Sequence, residues 1–220
     1  MIFKGFVPES FKFLADLAEN NNRPWFADHK KEYEKLIKEP LNSLAQSLND
    51  FMLGIDPAID VTPSHVVTRI NRDTRFAQDK SPYKTNLWLS YVNRTWSDAP
   101  GFYFEIGIDF YGFGMGFYKV SRETMDKFRS RICDSPKEFL DTVKFLHDGE
   151  LELIAEKYKK PVGVGPHAIE EWLYYKTFYV AYRKRDTSAL IRPDLVDVIK
   201  GHFRTVSKLY NYLMDLRCEG

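Results

Sequence analysis

Phe11, Leu14, Leu17 and Ala18 recur at three- and four-residue intervals after Pro8, the spacing of one apolar helix face. The run Asn20-Asn21-Asn22 closes that helix, since asparagine tolerates the left-handed conformation of a C-cap. Pro24 suits the first turn of a second helix, whose Phe26, Tyr33 and Ile37 lead into Leu41, Leu44, Leu48 and Phe51. Proline lacks an N–H and disfavours helix at the residue before it, so a kink or short break is expected at Glu39 and Pro40. After Gly54 the stretch IDPAIDVTPS reads as loop.

From Val66 the period changes to two. Residues 66–72 and 86–93 alternate as strands, with Leu87, Leu89 and Tyr91 opposite Trp88, Ser90 and Val92. The stretch 102–111 sets Phe102, Phe104, Ile106, Ile108 and Phe110 against Tyr103, Glu105, Gly107, Asp109 and Tyr111. A turn near Gly112 returns the chain through a strand at 113–120, carrying Phe113, Met115 and Phe117 on the apolar face of a hairpin. The chain then reads as mostly helical. Ser121 caps a helix with Met125, Phe128 and Ile132, and SPKE at 135–138 forms a capping box for another. One further strand alternates over 176–184, and a long helix from about Pro193 to Leu216 closes the chain. Helices, then strands with a hairpin, then helices predict an α+β fold, a largely antiparallel sheet of four or more strands packed with N-terminal and C-terminal helices.

Composition adds bounds. With 220 residues, 44% hydrophobic, the chain can build one sizeable core, and a single domain over 1–220 is expected. Thirty-two Lys and Arg face 31 Asp and Glu, a balance that argues against a general nucleic-acid or membrane-surface binder. Cys133 and Cys218 lie far apart with no histidine beside them, so they are read as incidental thiols in a reducing compartment. No signal-peptide or membrane-spanning run is evident, and the expected location is the cytoplasm. Neither a metal nor a cofactor is expected, because His29, His65, His147, His167 and His202 supply no ligand spacing and GFGMG at 112–116 lacks the lysine and helix of a phosphate loop.

Charge is concentrated in one place, RINRDTRFAQDKSPYK at 69–84. Arg69, Arg72, Arg75, Lys80 and Lys84 supply the forks and point charges that bind phosphate or carboxylate, and Tyr83 adds a hydroxyl donor. Asp73 and Asp79 can orient those cations, and Arg23 and Trp25 at the second helix are placed to close the pocket. The competing reading is a salt-bridged clamp holding the segment to its own fold. Glu105 and Asp109, four residues apart on one strand and so roughly 13 Å distant, are too far apart to act as a close carboxylate pair. No nucleophile or general base stands out, which leaves open whether the chain is an enzyme. Phe76, Tyr83, Trp88 and Trp96 interleave with basic residues as on a single-strand nucleic-acid surface, though core packing explains most of them.

The order FLADLAENNNRPWFADHKKEY, RINRDTRFAQDKSPYKTN, glycine-and-aromatic hairpin, late helix-strand-helix resembles the conserved hypothetical proteins grouped as domain of unknown function 2461. The motif positions are Asn21, Asn22, Arg23, Trp25 and Phe26, then Arg69, Arg72, Asp73, Arg75, Phe76 and Lys80 through Lys84. The resemblance implies a single cytosolic domain and no established activity. Two functions remain, an anion-binding pocket formed by 69–84 and a non-catalytic interaction module in which 69–84 is the clamp, with single-stranded nucleic acid a lesser third and no reading of oligomeric state.

Overall fold

A computed structural model of the chain describes residues 3–75 and 78–218. Helices α1 (Pro8–Glu19), α2 (Arg23–Asp28) and α3 (Lys30–Tyr33) precede a π-helical turn (Glu34–Lys38), α4 (Glu39–Ile55) and the single-turn α5 (Pro63–Val66). Strands β1 (Leu87–Val92), β2 (Gly101–Ile106) and β3 (Tyr111–Gly116) follow, then α6 (Arg122–Asp134), α7 (Pro136–Thr142), β4 (Glu152–Lys157), β5 (Tyr175–Lys184) and α8 (Leu195–Met214). The fold is α+β, with one five-stranded antiparallel sheet in the order β1-β2-β3-β5-β4.

The chain divides into two compact units. One comprises residues 1–91, 103–113 and 183–200, the other 92–102, 114–182 and 201–220. In the first, the helices pack through Leu14, Leu17, Ile37, Leu41, Leu44 and Leu48, all buried. Tyr91 of β1 joins them, its hydroxyl donating to the Ala45 carbonyl at 2.9 Å, and burial raises its pKa. In the second unit, Phe139 meets Trp172 edge to face at 4.6 Å, Phe128 tilts against Phe178 at 5.1 Å, and Phe102 packs on Tyr210 at 4.8 Å.

Pro40 does not break its helix. The irregularity expected at Glu39 and Pro40 takes the form of a π-turn that ends there, in which Glu39 N–H bonds back to Glu34 O. Proline has no N–H to give the Leu36 carbonyl, and that carbonyl instead accepts the hydroxyl of fully buried Ser10 at 2.7 Å. Asn20 ends α1 at φ −118°, outside the left-handed region expected for it.

Strand limits also shift. Residues 66–72 form no continuous strand: Val66 ends α5, and only isolated bridges, Val67 to Leu89 and Asn71 to Tyr83, tie the segment to its neighbours. The hairpin turns at 107–110, not at Gly112, with Gly107 N–H donating to Phe110 O at 2.9 Å. A Cβ on Gly107 would overlap the Phe110 ring, so the ring packs over the turn as it does because residue 107 has no side chain. Asp109 therefore lies in the turn rather than on a strand face, and Ile108 is 36% exposed. Ser121 caps α6 as expected, accepting Thr124 N–H at 3.1 Å, whereas Ser135 makes no side-chain cap to α7. Strand β4 lies in a region expected to be helical. It pairs antiparallel with β5, Glu152 opposite Ala181, and most of its side chains are exposed or half-exposed.

Candidate functional site

The 69–84 segment is a closed loop with a short paired neck. Arg72 N–H donates to Pro82 O at 2.9 Å and Lys84 N–H to Ile70 O at 2.8 Å, which sets 70–72 antiparallel to 82–84. Asn21, from the turn between α1 and α2, completes the pairing. Its Nδ2 donates to Tyr83 O at 2.9 Å and its Oδ1 accepts Tyr83 N–H at 3.0 Å, so one amide side chain takes the place of an adjoining strand residue. Phe26 of α2 stacks on the Tyr83 ring at 4.0 Å and 24°, and Tyr83 is only 9% exposed. The neck is thereby anchored to the first unit's helices.

Within the loop most cations have local partners. Arg75 grips Asp73 with a fork, Nε to Oδ1 at 2.9 Å and Nη2 to Oδ2 at 2.7 Å. Those bonds from Arg75 pull the Asp73 carboxyl down to about 2. Arg72 pairs with Asp79, which also accepts Ser81 N–H at 2.8 Å; both interactions lower the Asp79 pKa, the Ser81 bonds more than Arg72. Lys80 Nζ donates to the Thr74 carbonyl at 2.9 Å. All of these pairs stand at the surface.

Arg69, Arg72 and Lys84 form a second group at the neck, where the charges of both arginines act on the Lys84 ammonium. Lys84 Nζ donates to Arg69 O at 2.7 Å and Thr68 Oγ1 at 3.3 Å, and lies 5.0 Å from the centre of the Trp88 ring. Burial, then the like charges of Arg72 and Arg69, lower the Lys84 pKa. Among the described residues, the exposed Arg69 guanidinium has no carboxylate within ion-pair distance. Beside this group, on the half-exposed face of β1 and β2, Asn86 Nδ2 donates to Glu105 Oε1 at 2.6 Å.

Arg23 is exposed at the start of α2, where Asn22 caps the helix by accepting Trp25 N–H at 3.0 Å. Trp25 stacks on His29 at 4.0 Å and tilts against Phe13 at 5.7 Å. Phe76 lies outside the described residues. No cluster of three His, Cys, Asp or Glu side chains able to hold a metal occurs among the described residues, and no described helix is long and apolar enough to cross a membrane. Sequence reasoning singled out the cations but missed Asn21 as the neck's anchor and Asn86 as the partner of Glu105, because neither pairing has a local sequence signal.

The order of these parts, an asparagine turn followed by Arg23 and Trp25 and later the Arg- and Lys-rich loop, falls within the span of one family. A family model described as conserved hypothetical protein, DUF2461, matches residues 9–212. The chain belongs to DUF2461. Both segments that build the neck, Asn21 to Phe26 and Arg69 to Lys84, lie inside the DUF2461 match. A search of curated proteins and a search of solved structures each gave no match.

Proposed function

We propose that this DUF2461 chain binds a small anionic molecule, a phosphate or a carboxylate, at the neck of the 69–84 loop. The observation that carries the reading is the crowding of Arg69, Arg72 and Lys84. Burial and then the charges of Arg72 and Arg69 disfavour the Lys84 ammonium, a strain that a bound anion relieves, and among the described residues only Arg72 of the three has a carboxylate of its own. Arg69 and Arg72 supply forked donors and Lys84 a point charge, while Asp79 orients Arg72. Arg75 and Lys80 on the outer part of the loop are further contacts, with Asp73 orienting Arg75; in this reading Tyr83 adds a hydroxyl donor, and Arg23 and Trp25 close the pocket from the start of α2. The protein is cytoplasmic in this reading and acts as a single domain, with no reaction assigned.

A second reading, the clamp, is favoured by the Asp73–Arg75 and Asp79–Arg72 pairs and the Lys80 bond to Thr74 O, each of which closes the loop on itself. Thermal unfolding with added inorganic phosphate, citrate and sugar phosphates, on wild type and Arg69→Ala, separates the two. Anion binding predicts a rise in Tm that saturates with concentration and is reduced in the variant, equivalent to about 2.7 kcal/mol at a hundredfold excess over Kd. Arg69 has no carboxylate partner to strand, so the variant should fold normally. Equal, non-saturating shifts in both proteins would leave only the clamp.

A further inference from the structure

The anion group does not stand alone on its surface. From Lys84 the chain runs into β1, and the alternation that buries Leu87, Leu89 and Tyr91 turns Asn86, Trp88 and Ser90 to the opposite, half-exposed face. The Lys84 ammonium lies over the Trp88 indole, and Asn86 reaches across to Glu105 of β2, which shares the half-exposed side of its strand with Tyr103. One face therefore carries the Lys84 ammonium against the Trp88 indole and, at Asn86 between them in sequence, the Glu105 carboxylate.

Glu105 is half-exposed and accepts Asn86 Nδ2 on Oε1, and no cation lies within ion-pair distance of it among the described residues. Asn86 holds the carboxylate in place without neutralising it. Resting on the anion-binding reading above, we infer that the ligand is bipolar: an anionic head held by Arg69, Arg72 and Lys84, and a cationic or donor group, such as a primary ammonium, held by Glu105. Asn86, which holds Glu105, follows Lys84 by two residues, about 7 Å of extended chain, which suits a short aliphatic linker of roughly three carbons. The Trp88 indole, which packs against the Lys84 ammonium, borders the same face and favours both methylenes and an ammonium.

The test compares 3-aminopropyl phosphate with propyl phosphate, which has the same head and linker but no ammonium, by titration calorimetry on wild type and Glu105→Gln. Glutamine keeps the oxygen that Asn86 donates to and removes the charge. Wild type should bind the aminopropyl compound about tenfold more tightly, the scale of one charge-assisted hydrogen bond. Glu105→Gln should erase that preference and leave propyl phosphate binding unchanged. Equal binding of the two by wild type, or a preference that survives in Glu105→Gln, overturns the bipolar ligand while leaving the anion site standing. Failure of both compounds to bind wild type overturns the anion site and the bipolar ligand together.

Discussion

Asn21 shows how much can rest on one side chain. Its amide satisfies both backbone groups of Tyr83, which lies between the two neck residues whose main chains pair with Ile70 and Arg72. Asn21→Ala leaves a half-buried N–H and C=O unpaired, at a cost of about 1–3 kcal/mol, readable as a lower midpoint in urea unfolding. A protein whose midpoint is unchanged would show that water replaces the amide without loss. Asp73 offers a pH-dependent check. Its carboxyl is held at about 2 against an ordinary value near 4, so the Arg75 fork is fully formed above about pH 4 and is lost as pH falls toward 2. Carbon-detected NMR titration should place the Asp73 midpoint near 2 and move it toward 4 in Arg75→Ala. The charged residues were legible in the sequence because their chemistry is local. Their pairing was not, since each of five cations had two aspartates within reach and spacing does not choose between them.

Among the elements, the helices were the most readable. The apolar stripes of α4 and α8 fall where the three- and four-residue spacing puts them, with Leu41, Leu44, Leu48, Leu195, Ile199, Val206, Leu209 and Leu213 all buried, whereas in α1 Phe13 joins Leu14 and Leu17 in the core and Ala18 is exposed. What spacing does not reveal is how α4 absorbs Pro40. That depends on Ser10, 26 residues away from the carbonyl it bonds. Ser10→Ala should cost about 1–3 kcal/mol by leaving the Leu36 carbonyl unpaired, whereas Ser47→Ala, whose hydroxyl donates within its own helix turn to Ser43 O and accepts the Phe3 N–H only at 3.4 Å, should cost less. Matched denaturation curves of the two variants check the ordering. Phe26 ties α2 to the neck, and Phe26→Ala, which removes a 91%-buried ring, should cost about 3–5 kcal/mol. Strand β4 was illegible for a physical reason. It pairs on one side only and most of its side chains meet solvent, so its sequence, ELIAEK, carries almost no apolar alternation. Its Glu152, Glu156 and Lys157 are the charges expected on a strand edge that must not pair with another chain.

At the scale of the whole molecule, charge is distributed unevenly. The chain totals +1, yet the neck gathers Arg69, Arg72 and Lys84 around a single aspartate pair. The DUF2461 match runs through residues of both compact units, while the neck and Glu105 belong to the first alone. The proposed anion site therefore lies in one unit, and the aromatic cluster of Phe128, Phe139, Trp172 and Phe178 packs the core of the other. The central claim is that the neck holds an anion. Two-dimensional 1H–15N NMR during a titration with inorganic phosphate tests it residue by residue. Anion binding at the neck predicts saturable shifts centred on the amides of Arg69, Arg72 and Lys84 and on the Arg69 side-chain Nε–H, abolished at these positions in Arg69→Ala. Shifts scattered over lysines across the whole surface and growing linearly with phosphate would contradict it.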